Sequence, residues 1–535
     1  MKEKKYEFWL DKIAKQIVER EEKLKRGIKV FRTESGLGAS GFPHIGSFGD
    51  VVRQFGVTLA LRDLGFKSEF IAYSDDRDGL RKVPYTLPNW LEKYIGTPVT
   101  DIPDPFNCHS SYGEHMSSLL IEAIEKAGID YIFNSGTKNY RKGILDEEIE
   151  KILLNADKIG KIVKEILGQE KFVEMLPYFP VCERCGKIYT TRAYQLIPEE
   201  HKVLYICDQQ FIGKNLNTGK EIIVSGCGYK GEASYFKGNG KLSWKGEFAA
   251  RWKALGIVFE ACGKDIYDSV KVNDQICREI FGFEPPVHII YEMFLEKGGK
   301  KISKSYGNVF TPQVWFKYGS VQSLILLMFK RFEGTRELDI TDIPKYMDEL
   351  NKLERIYFGL EKIENERDEI NTKRLFEYVF FLNPPKTPSL HIPYYKLIEI
   401  ARILPEKNQL EFAIEKLKEM KLIEGEVKEN LIEDLKRRLE FAKNWVNDEK
   451  KDIEIKISKK EKKAINEVVC ALEKESDGEK LQTKIFEISR NNEIKPQEFF
   501  KLLYKIILKS EKGPRLGPYL VEVKDEAIKK LKEVL

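Results

Sequence analysis

The sequence has no run of about 18 apolar residues, the length that a membrane-spanning helix needs. Its N-terminal stretch, MKEKKYEFWLDKIAKQIVEREEKLKRG, is charged throughout and lacks the apolar core of a signal peptide. These absences predict a cytoplasmic chain without a membrane span. An excess of one charge is also lacking, because 90 Lys and Arg nearly balance 85 Asp and Glu, and aromatic residues reach 11%. The composition therefore excludes a disordered chain.

Glycine becomes scarce in the last third of the chain. Of 38 glycines only five lie beyond residue 350, whereas five of the six histidines lie before it. A chain of 535 residues is too long for one ordinary domain. We therefore expect a catalytic domain over residues 1–350 and a mainly helical region over 351–535, where apolar residues recur at helical spacing between charges.

The N-terminal part of the sequence predicts a Rossmann-like fold. The segment IKVFRT is a short strand, a glycine-rich turn follows it, and a helix and a second strand, KSEFIAYSDD, come next. This order is typical of a doubly wound parallel sheet, in which ligands lie at the carboxyl ends of the strands. The segment PVHIIYEMFLE predicts a later strand that ends in another glycine-rich loop, GGKKISKS.

Two short motifs carry groups suited to phosphate. Pro43, His44, Gly46 and Ser47 stand where the first loop enters its helix, and a helix N-terminus offers unpaired N–H groups to an anion. The second motif, KISKS at residues 301–305, places two lysines on a loop, where they suit a triphosphate. Either motif by itself is also consistent with an ordinary surface loop. Their combination and order are much more specific.

The two motifs resemble the HIGH and KMSKS signatures of class I aminoacyl-tRNA synthetases. Among these the sequence is similar to the class I lysyl-tRNA synthetases, since further matching stretches cover most of the first 310 residues and touch the tail: SGFPHIGSFGD, SDDRDGLRKVP, IPDPFNCHSSYGEH, YEMF, KISKSYGN and GPRLG. The resemblance implies ATP-dependent activation of lysine and its transfer to the 2′-hydroxyl of the terminal adenosine of tRNA(Lys). ATP, lysine, tRNA(Lys) and Mg²⁺ are the implied ligands, and other synthetases are candidate partners.

The resemblance also assigns roles to single residues. It implies catalytic roles for His44, Lys301 and Lys304, and an ATP site made by residues of both motifs and of the segment CGKDI: Pro43, His44, Gly46, Ser47, Gly263, Asp265, Lys301, Ser303 and Lys304. Asp265 is expected to accept from a ribose hydroxyl. Ser47 stands where the family-wide signature has histidine.

Selection of lysine requires an apolar wall for the side-chain stem and a carboxylate for the ammonium group. The resemblance makes Trp244 and Tyr291 candidates for the wall, although ordinary core packing explains them equally well. A buried ammonium without a counter-charge would cost several kcal/mol. Glu34 and the acidic residues after the second strand are the candidates for it: Asp75, Asp76 and Asp78. Some of these aspartates are equally suited to capping the next helix.

Cysteines suggest a metal site in an insert near residues 175–245. Cys182 and Cys185 form a CxxC knuckle, and Cys207 and Cys227 flank a predicted hairpin, QQFIGKNLNTGKEIIVS. Four thiolates can enclose Zn²⁺ tetrahedrally and so stabilise a small insert with little core. We favour structural zinc over four unrelated thiols, and a redox role is disfavoured because the knuckle carries no sign of opening a helix.

A second cluster combines Asp104, Cys108, His109 and His115 within twelve residues. This is also a zinc-type set of ligands, and the matching segment of lysine-specific synthetases suggests a metal. The alternative is that the two histidines make hydrogen bonds around the amino-acid pocket.

The sequence is also compatible with other functions. A class I synthetase for glutamate, cysteine or arginine is the nearest alternative. A nucleotidyltransferase shares a similar histidine–glycine turn but does not need a helical tail of this length. A non-enzymatic RNA-binding module leaves both phosphate-type loops unexplained.

The resemblance makes residues 351–535 an anticodon-binding region. Residues 501–535 contain nine basic and five acidic residues, an excess of positive charge that suits a polyanion such as RNA. A solvated helix face explains this charge equally well.

Overall fold

We describe a computed structural model of the chain, which covers residues 7–296, 300–301, 310–449, 457–508 and 513–535. Within these ranges no helix has both the length and the apolar character needed to cross a membrane.

The strands belong mainly to the first 300 residues: β1 (Phe31–Leu37), β2 (Ser68–Ser74), β3 (Lys82–Val83), β4 (Ile132–Ser135), β5 (Tyr178–Pro180), β6 (Arg192–Ile197), β7 (Lys202–Ile206), β8 (Gln210–Asn215), β9 (Glu221–Ser225), β10 (Lys230–Ser234), β11 (Gly240–Leu242), β12 (Ile257–Phe259), β13 (Cys262–Gly263), β14 (Ile290–Tyr291), β15 (Phe294–Glu296), β16 (Lys300–Lys301) and β17 (Arg336–Glu337).

Helices occur along the whole chain: α1 (Trp9–Leu24), α2 (Ile45–Asp63), α3 (Tyr112–Lys126), α4 (Gly136–Lys142), α5 (Asp146–Leu154), α6 (Ala156–Leu167), α7 (Lys171–Glu174), α8 (Trp244–Leu255), α9 (Tyr267–Glu279), α10 (Pro312–Tyr318), α11 (Val321–Phe329), α12 (Ile343–Tyr357), α13 (Glu366–Val379), α14 (Tyr394–Ala401), α15 (Gln409–Glu419), α16 (Glu429–Glu449), α17 (Lys459–Lys474), α18 (Gly478–Asn491), α19 (Pro496–Leu508), α20 (Leu516–Glu522) and α21 (Lys524–Lys532).

A parallel sheet of four strands in the order β12–β1–β2–β4 forms the centre of the N-terminal part. Strands β1 and β2 pair in register from Phe31 opposite Ser68 to Leu37 opposite Ser74, and both are largely buried. Helix α2 connects them, as the sequence predicts, and nearly all of its residues are buried. The doubly wound α/β class is thereby confirmed, because parallel strands buried on both faces require helical crossovers.

An antiparallel insert follows the first helices. Strands β10, β7 and β6 form one antiparallel sheet, and β11 pairs antiparallel with β5. Strand β8 pairs antiparallel with β9 and parallel with β3, which precedes the insert in the chain. Its small sheets contrast with the parallel sheet, and the predicted hairpin over residues 209–225 is present as β8 and β9.

The chain divides into two compact units. One comprises residues 1–316, 321–342 and 359–385, and the other comprises residues 317–320, 343–358 and 386–535. In the second unit every described secondary-structure element is helical. Its apolar core includes Val468, Leu481, Leu503 and Leu520, and Ser458 begins α17 with a capping box to Glu461. The mainly helical C-terminal region is thus confirmed.

Two elements differ from the sequence prediction. Strand β1 begins at Phe31 and continues to Leu37, so the glycine-rich loop begins later than expected. The predicted strand PVHIIYEMFLE is broken into β14 and β15, because Ile290–Tyr291 pairs with β13 whereas Phe294–Glu296 pairs with β16 and β17.

Candidate functional site

A cavity of about 860 Å³ lies at the carboxyl ends of β1, β2 and β12. Ser35 and Gly36 reach it from β1, Asp75 follows β2, and Glu260 follows β12. The edge of the sheet where the sequence predicts a ligand is therefore the edge that is open. Nine of the candidate site residues line this cavity: His44, Gly46, Ser47, Asp75, Asp78, Trp244, Gly263, Asp265 and Tyr291.

His44 caps the N-terminus of α2. Its Nδ1 accepts a hydrogen bond from the Ser47 N–H at 3.1 Å, and its own backbone is extended. The ring also explains Gly46, because a Cβ there would lie 2.7 Å from His44 Cε1. The turn thus directs an imidazole and the start of a helix toward the cavity, an arrangement suited to an anion.

Gly263 and Asp265 stand together on the opposite wall. A Cβ at Gly263 would lie 2.7 Å from Asp265 Oδ1, so the carboxylate folds back over the glycine. Pro43 is buried beside His44 but is not part of the cavity wall. Ser303 and Lys304 lie outside the described residues, and for Lys301 the structure gives only the backbone, in β16.

Arg251 of α8 is a buried centre of charge on the cavity wall. Its Nη2 lies 2.7 Å from Glu34 Oε1, and its Nη1 donates to Asp75 Oδ1 at 2.8 Å. Its guanidinium also stacks on Tyr73, 4.2 Å from the ring centroid. Glu34 is fully buried behind Arg251 and does not line the cavity, whereas Asp75 does. Glu34 therefore faces the guanidinium, and Asp75 faces both the guanidinium and the cavity.

Burial raises the pKa of both acids, and Arg251 opposes this effect without cancelling it. The pKa of Glu34 rises to about 8 and that of Asp75 to about 7. Both carboxylates consequently bind and release protons near neutral pH. A further cation placed beside them would favour their ionised forms.

Lys241 of β11 is a second buried cation on the same wall. Its Nζ pairs with Asp78 and lies 2.7 Å from Glu247 Oε2, while the Tyr140 hydroxyl donates to Glu247 Oε1 at 2.9 Å. Burial lowers the pKa of Lys241, but the two acids outweigh that effect and raise it overall. Five carboxylates thus lie within ion-pair distance of these two cations, namely Asp78 and Glu247 at Lys241, and Glu34, Asp75 and Glu260 at Arg251.

The remaining candidates for lysine binding take different positions. Trp244 is 39% exposed at the start of α8, and Tyr291 is buried in β14. Asp76 accepts from the Thr137 N–H at 2.7 Å and from the Ser135 hydroxyl at 2.5 Å. It therefore satisfies the N–H of Thr137 in the first turn of α4, whose N-cap is Ser135.

The four insert cysteines converge, with all of their Sγ atoms within 4.8 Å of one another. Cys182 Sγ lies 3.6 Å from Cys227 Sγ, and Cys185 Sγ lies 3.7 Å from Cys207 Sγ. Sulfurs bound at about 2.3 Å to a tetrahedral zinc would be about 3.8 Å apart. The β8–β9 hairpin separates Cys207 from Cys227 in sequence, and pairing of β7 with β10 brings them together. The arrangement is compatible with zinc.

The second cluster is equally tight. The Cys108 Sγ and the Nδ1 atoms of His109 and His115 lie 3.2 Å from one another, and Asp104 Oδ1 lies 3.4 Å from His115 Nδ1. Burial alone would raise the pKa of Asp104, but N–H groups of Phe106, Cys108 and His109 donate to its carboxylate and lower the pKa to about 2. The set therefore offers a permanent carboxylate beside a thiol and two imidazoles, which fits a divalent metal.

Sequence reasoning missed the buried cations of this wall. The sequence around each of these residues is that of an ordinary helix or strand, so nothing local distinguishes them from surface charges: Arg53, Lys241 and Arg251. A weak signal existed for Arg251, since in WKGEFAARWKAL it lies on a helix with few polar positions.

Comparisons with known proteins identify the family of this chain. A family model described as tRNA synthetases class I (K) matches residues 7–380. A lysine–tRNA ligase of Cenarchaeum symbiosum (strain A) is 45% identical over 524 residues, 97% of each chain. One from Rickettsia bellii (strain OSU 85-389) is 32% identical over 501 residues, 91% of this chain and 90% of the relative.

Likeness to solved structures is weaker. A glutamate–tRNA synthetase from Elizabethkingia anophelis has a TM-score of 0.38 and 13% identity, covering 94% of this chain and 99% of that one. The fold therefore rests on the strands and helices of this chain itself.

A parallel sheet, a histidine-capped helix at its open edge and a cavity between them define a nucleotide-binding enzyme of the α/β class. With the family match over more than half of its length, the chain belongs to the class I tRNA synthetases (K).

Proposed function

We propose that this chain is a lysine–tRNA ligase, which activates lysine with ATP as lysyl-adenylate and transfers it to the 2′-hydroxyl of the terminal adenosine of tRNA(Lys). The observation that carries the proposal is a single cavity with a helix N-terminus at one side and an acid-rich wall at the other. The first suits the phosphates of ATP, and the second suits an ammonium group. Family membership and the names of the full-length relatives support the same reaction.

The roles that we assign follow from position. His44 and the start of α2 hold phosphate oxygens of ATP, Gly46 leaves room for the nucleoside, and Asp265 accepts from the ribose. Lys301 and Lys304 follow the charge that develops as pyrophosphate leaves. Mg²⁺ accompanies ATP and neutralises part of that charge.

Lysine lies with its ammonium toward Asp75. Trp244 and Tyr291 line the path of its stem. Glu34 lies off the cavity wall and pairs with Arg251, so it would act on lysine binding by holding Arg251 in place. The lysine carboxylate then attacks the α-phosphate in line, and the protein supplies position and charge.

Zinc is proposed at both clusters. Cys182, Cys185, Cys207 and Cys227 would hold one ion, and it would stabilise the insert near residues 175–245. The other would be held by Asp104, Cys108, His109 and His115. Each set fits the ion by its mutual ligand distances.

The domain roles are also a proposal. Residues 1–350 would form the catalytic domain and residues 351–535 the anticodon-binding region, and the helical unit contains most of the latter. The enzyme would act in the cytoplasm, where tRNA is used, and association with other synthetases is a further proposal.

Pyrophosphate exchange with single amino acids tests the proposal. We expect exchange with lysine and background exchange with glutamate, cysteine and arginine, followed by charging of tRNA(Lys). Exchange with one of the other three would assign a different specificity. Lys304→Ala should slow adenylate formation by about 100-fold or more with a small change in lysine binding, because a phosphate contact acts in the transition state.

A further inference from the structure

Arg53 is a third buried cation on the cavity wall, and it is not among the side chains that we assign to binding ATP or lysine. It lies in α2 and is 1% exposed. Gly46, Asp50 and Arg53 all line the cavity at spacings of four and three residues, so they share one face of the helix. This face continues from the His44 cap into the cavity.

Aromatic rings fix the guanidinium of Arg53. Its central carbon lies 4.4 Å from the centroid of Tyr291 and 5.7 Å from that of Phe294. Gly49 leaves room on the other side, since a Cβ there would lie 3.0 Å from Arg53 Nη1. The side chain is therefore held in place mainly by the two rings.

None of the three guanidinium nitrogens of Arg53 has a hydrogen-bond partner among the described residues. The carboxylate of Asp50 is 3.8 Å from Nη1, beyond hydrogen-bond length, and it also interacts with the Tyr291 hydroxyl. Arg251, by contrast, lies 2.7–2.8 Å from two carboxylates. A buried guanidinium stays charged, and leaving its donors unpaired is costly. A partner supplied by a ligand would satisfy them.

We propose that Arg53 binds an oxyanion of the small substrates, either the carboxylate of the amino acid or a phosphate of ATP. The planar fork of a guanidinium matches both groups. Acidic side chains surround Arg251 and Lys241 and would repel an anion there, whereas the carboxylate beside Arg53, that of Asp50, is 3.8 Å away and also interacts with the Tyr291 hydroxyl. This inference rests on the proposed function, because both anions belong to that reaction.

The role also suits the reaction. A carboxylate must approach a phosphate, and the two repel each other until a cation offsets their charge. Arg53 would supply that charge from the helix that also carries His44.

The test compares Arg53→Met, Arg53→Lys and Arg62→Met in the full chain. Arg62 is a matched control on the same helix that pairs with Asp130 outside the cavity. Calorimetry would measure the affinity for lysine, lysinamide, ATP and adenosine, where lysinamide lacks the carboxylate and adenosine lacks the phosphates. Circular dichroism and the melting temperature report on folding.

We expect Arg53→Met to weaken the binding of lysine or of ATP by about 10- to 100-fold, and the binding of the counterpart that lacks the anionic group by less than about 2-fold. A selective loss for lysine identifies the carboxylate, and a selective loss for ATP identifies a phosphate. Arg53→Lys, which keeps the charge without the fork, should retain part of the affinity, and it carries the test if Arg53→Met does not fold. Arg62→Met should bind like the wild type.

Equal losses of affinity for lysine and lysinamide and for ATP and adenosine, or no loss in a folded variant, would overturn the role of Arg53. Absence of lysine-dependent exchange by the wild-type protein would instead overturn the proposed function. The two failures are therefore distinguishable.

Discussion

Charged side chains have different environments in the cavity wall and in the helical unit. Lys241 and Arg251 are almost fully buried and each contacts more than one carboxylate. In the helical unit, Lys460 and Glu493 pair at 2.6 Å while their side chains remain 66% and 79% exposed. Exposed pairs contribute little to stability, whereas buried charges are costly to leave unpaired. The comparison suggests that the first region keeps its charges for binding and that the second keeps them for solvation.

The sources of stability differ in the same way. The helical unit has an apolar core that includes Val468 and Leu503. The antiparallel insert has short strands and two clusters of metal-ligand side chains beside or within it. The insert should therefore depend on zinc, and the helical unit should not.

The largest expected effect comes from Lys241→Met. The substitution would leave Asp78 and Glu247 buried without their cation, so the free energy of unfolding should fall by about 3–5 kcal/mol. Urea denaturation measures this change, and lysine-dependent exchange should fall with it. Lys202→Met, which removes a half-exposed lysine of β7, is the control and should change stability much less. If Lys241→Met is as stable as the wild type, buried charges of the cavity wall do not contribute more to stability than exposed charges of the helical unit.

Removal of metal should have the next largest effect. We expect two zinc ions per chain in the wild type, one in Cys182→Ser and one in His115→Ala, measured by elemental analysis of purified protein. Loss of the cysteine site should lower the melting temperature by about 5 °C or more. A single zinc per wild-type chain that disappears in Cys182→Ser would remove the second site.

Hydrogen exchange would locate the effect of metal. After treatment with a chelator, amides of residues 178–242 should exchange faster, while those of residues 464–508 in the helical core should be unchanged. Equal change in both regions would show that zinc supports the whole chain.

Asp75→Asn should have a smaller effect that depends on pH. The native pKa of Asp75, about 7, is above its unfolded value, so the folded chain binds more protons between pH 4 and 7. Stability should fall as pH rises through this window, and the variant should lose part of that dependence.

The ionised form of Asp75 is the form that attracts an ammonium group. The KM for lysine should therefore decrease by up to about tenfold between pH 6 and 8.5 in the wild type and remain flatter in Asp75→Asn. Steady-state exchange at each pH measures this. A parallel pH profile in the variant would remove Asp75 from lysine binding.

The smallest effect is expected in the helical unit. Lys460→Ala breaks an exposed pair with Glu493, and solvent replaces the lost contact. The melting temperature should change by less than about 1 °C, as scanning calorimetry would show. A decrease of several degrees would mean that exposed pairs also stabilise this unit.

Local sequence patterns predicted much of the fold and part of the site. Alternating apolar residues and the turn at His44 identified the parallel sheet and its open edge, because strand periodicity and helix capping depend on neighbours in the chain. The CxxC knuckle and the two later cysteines identified the four thiols that converge in the insert. The break between β14 and β15 was missed because it depends on partners from β13, β16 and β17.

The amino-acid sequence by itself determined the family, the α/β class, the helical C-terminal region and part of the cavity lining. These follow from short motifs and periodicities. Only the tertiary structure decided which charges are buried, that Asp76 binds the first turn of α4 while Asp75 faces the cavity, and that Glu34 stands behind Arg251. The physical reason is that burial and pairing of charge arise between residues up to about 200 positions apart, where local periodicity carries no information.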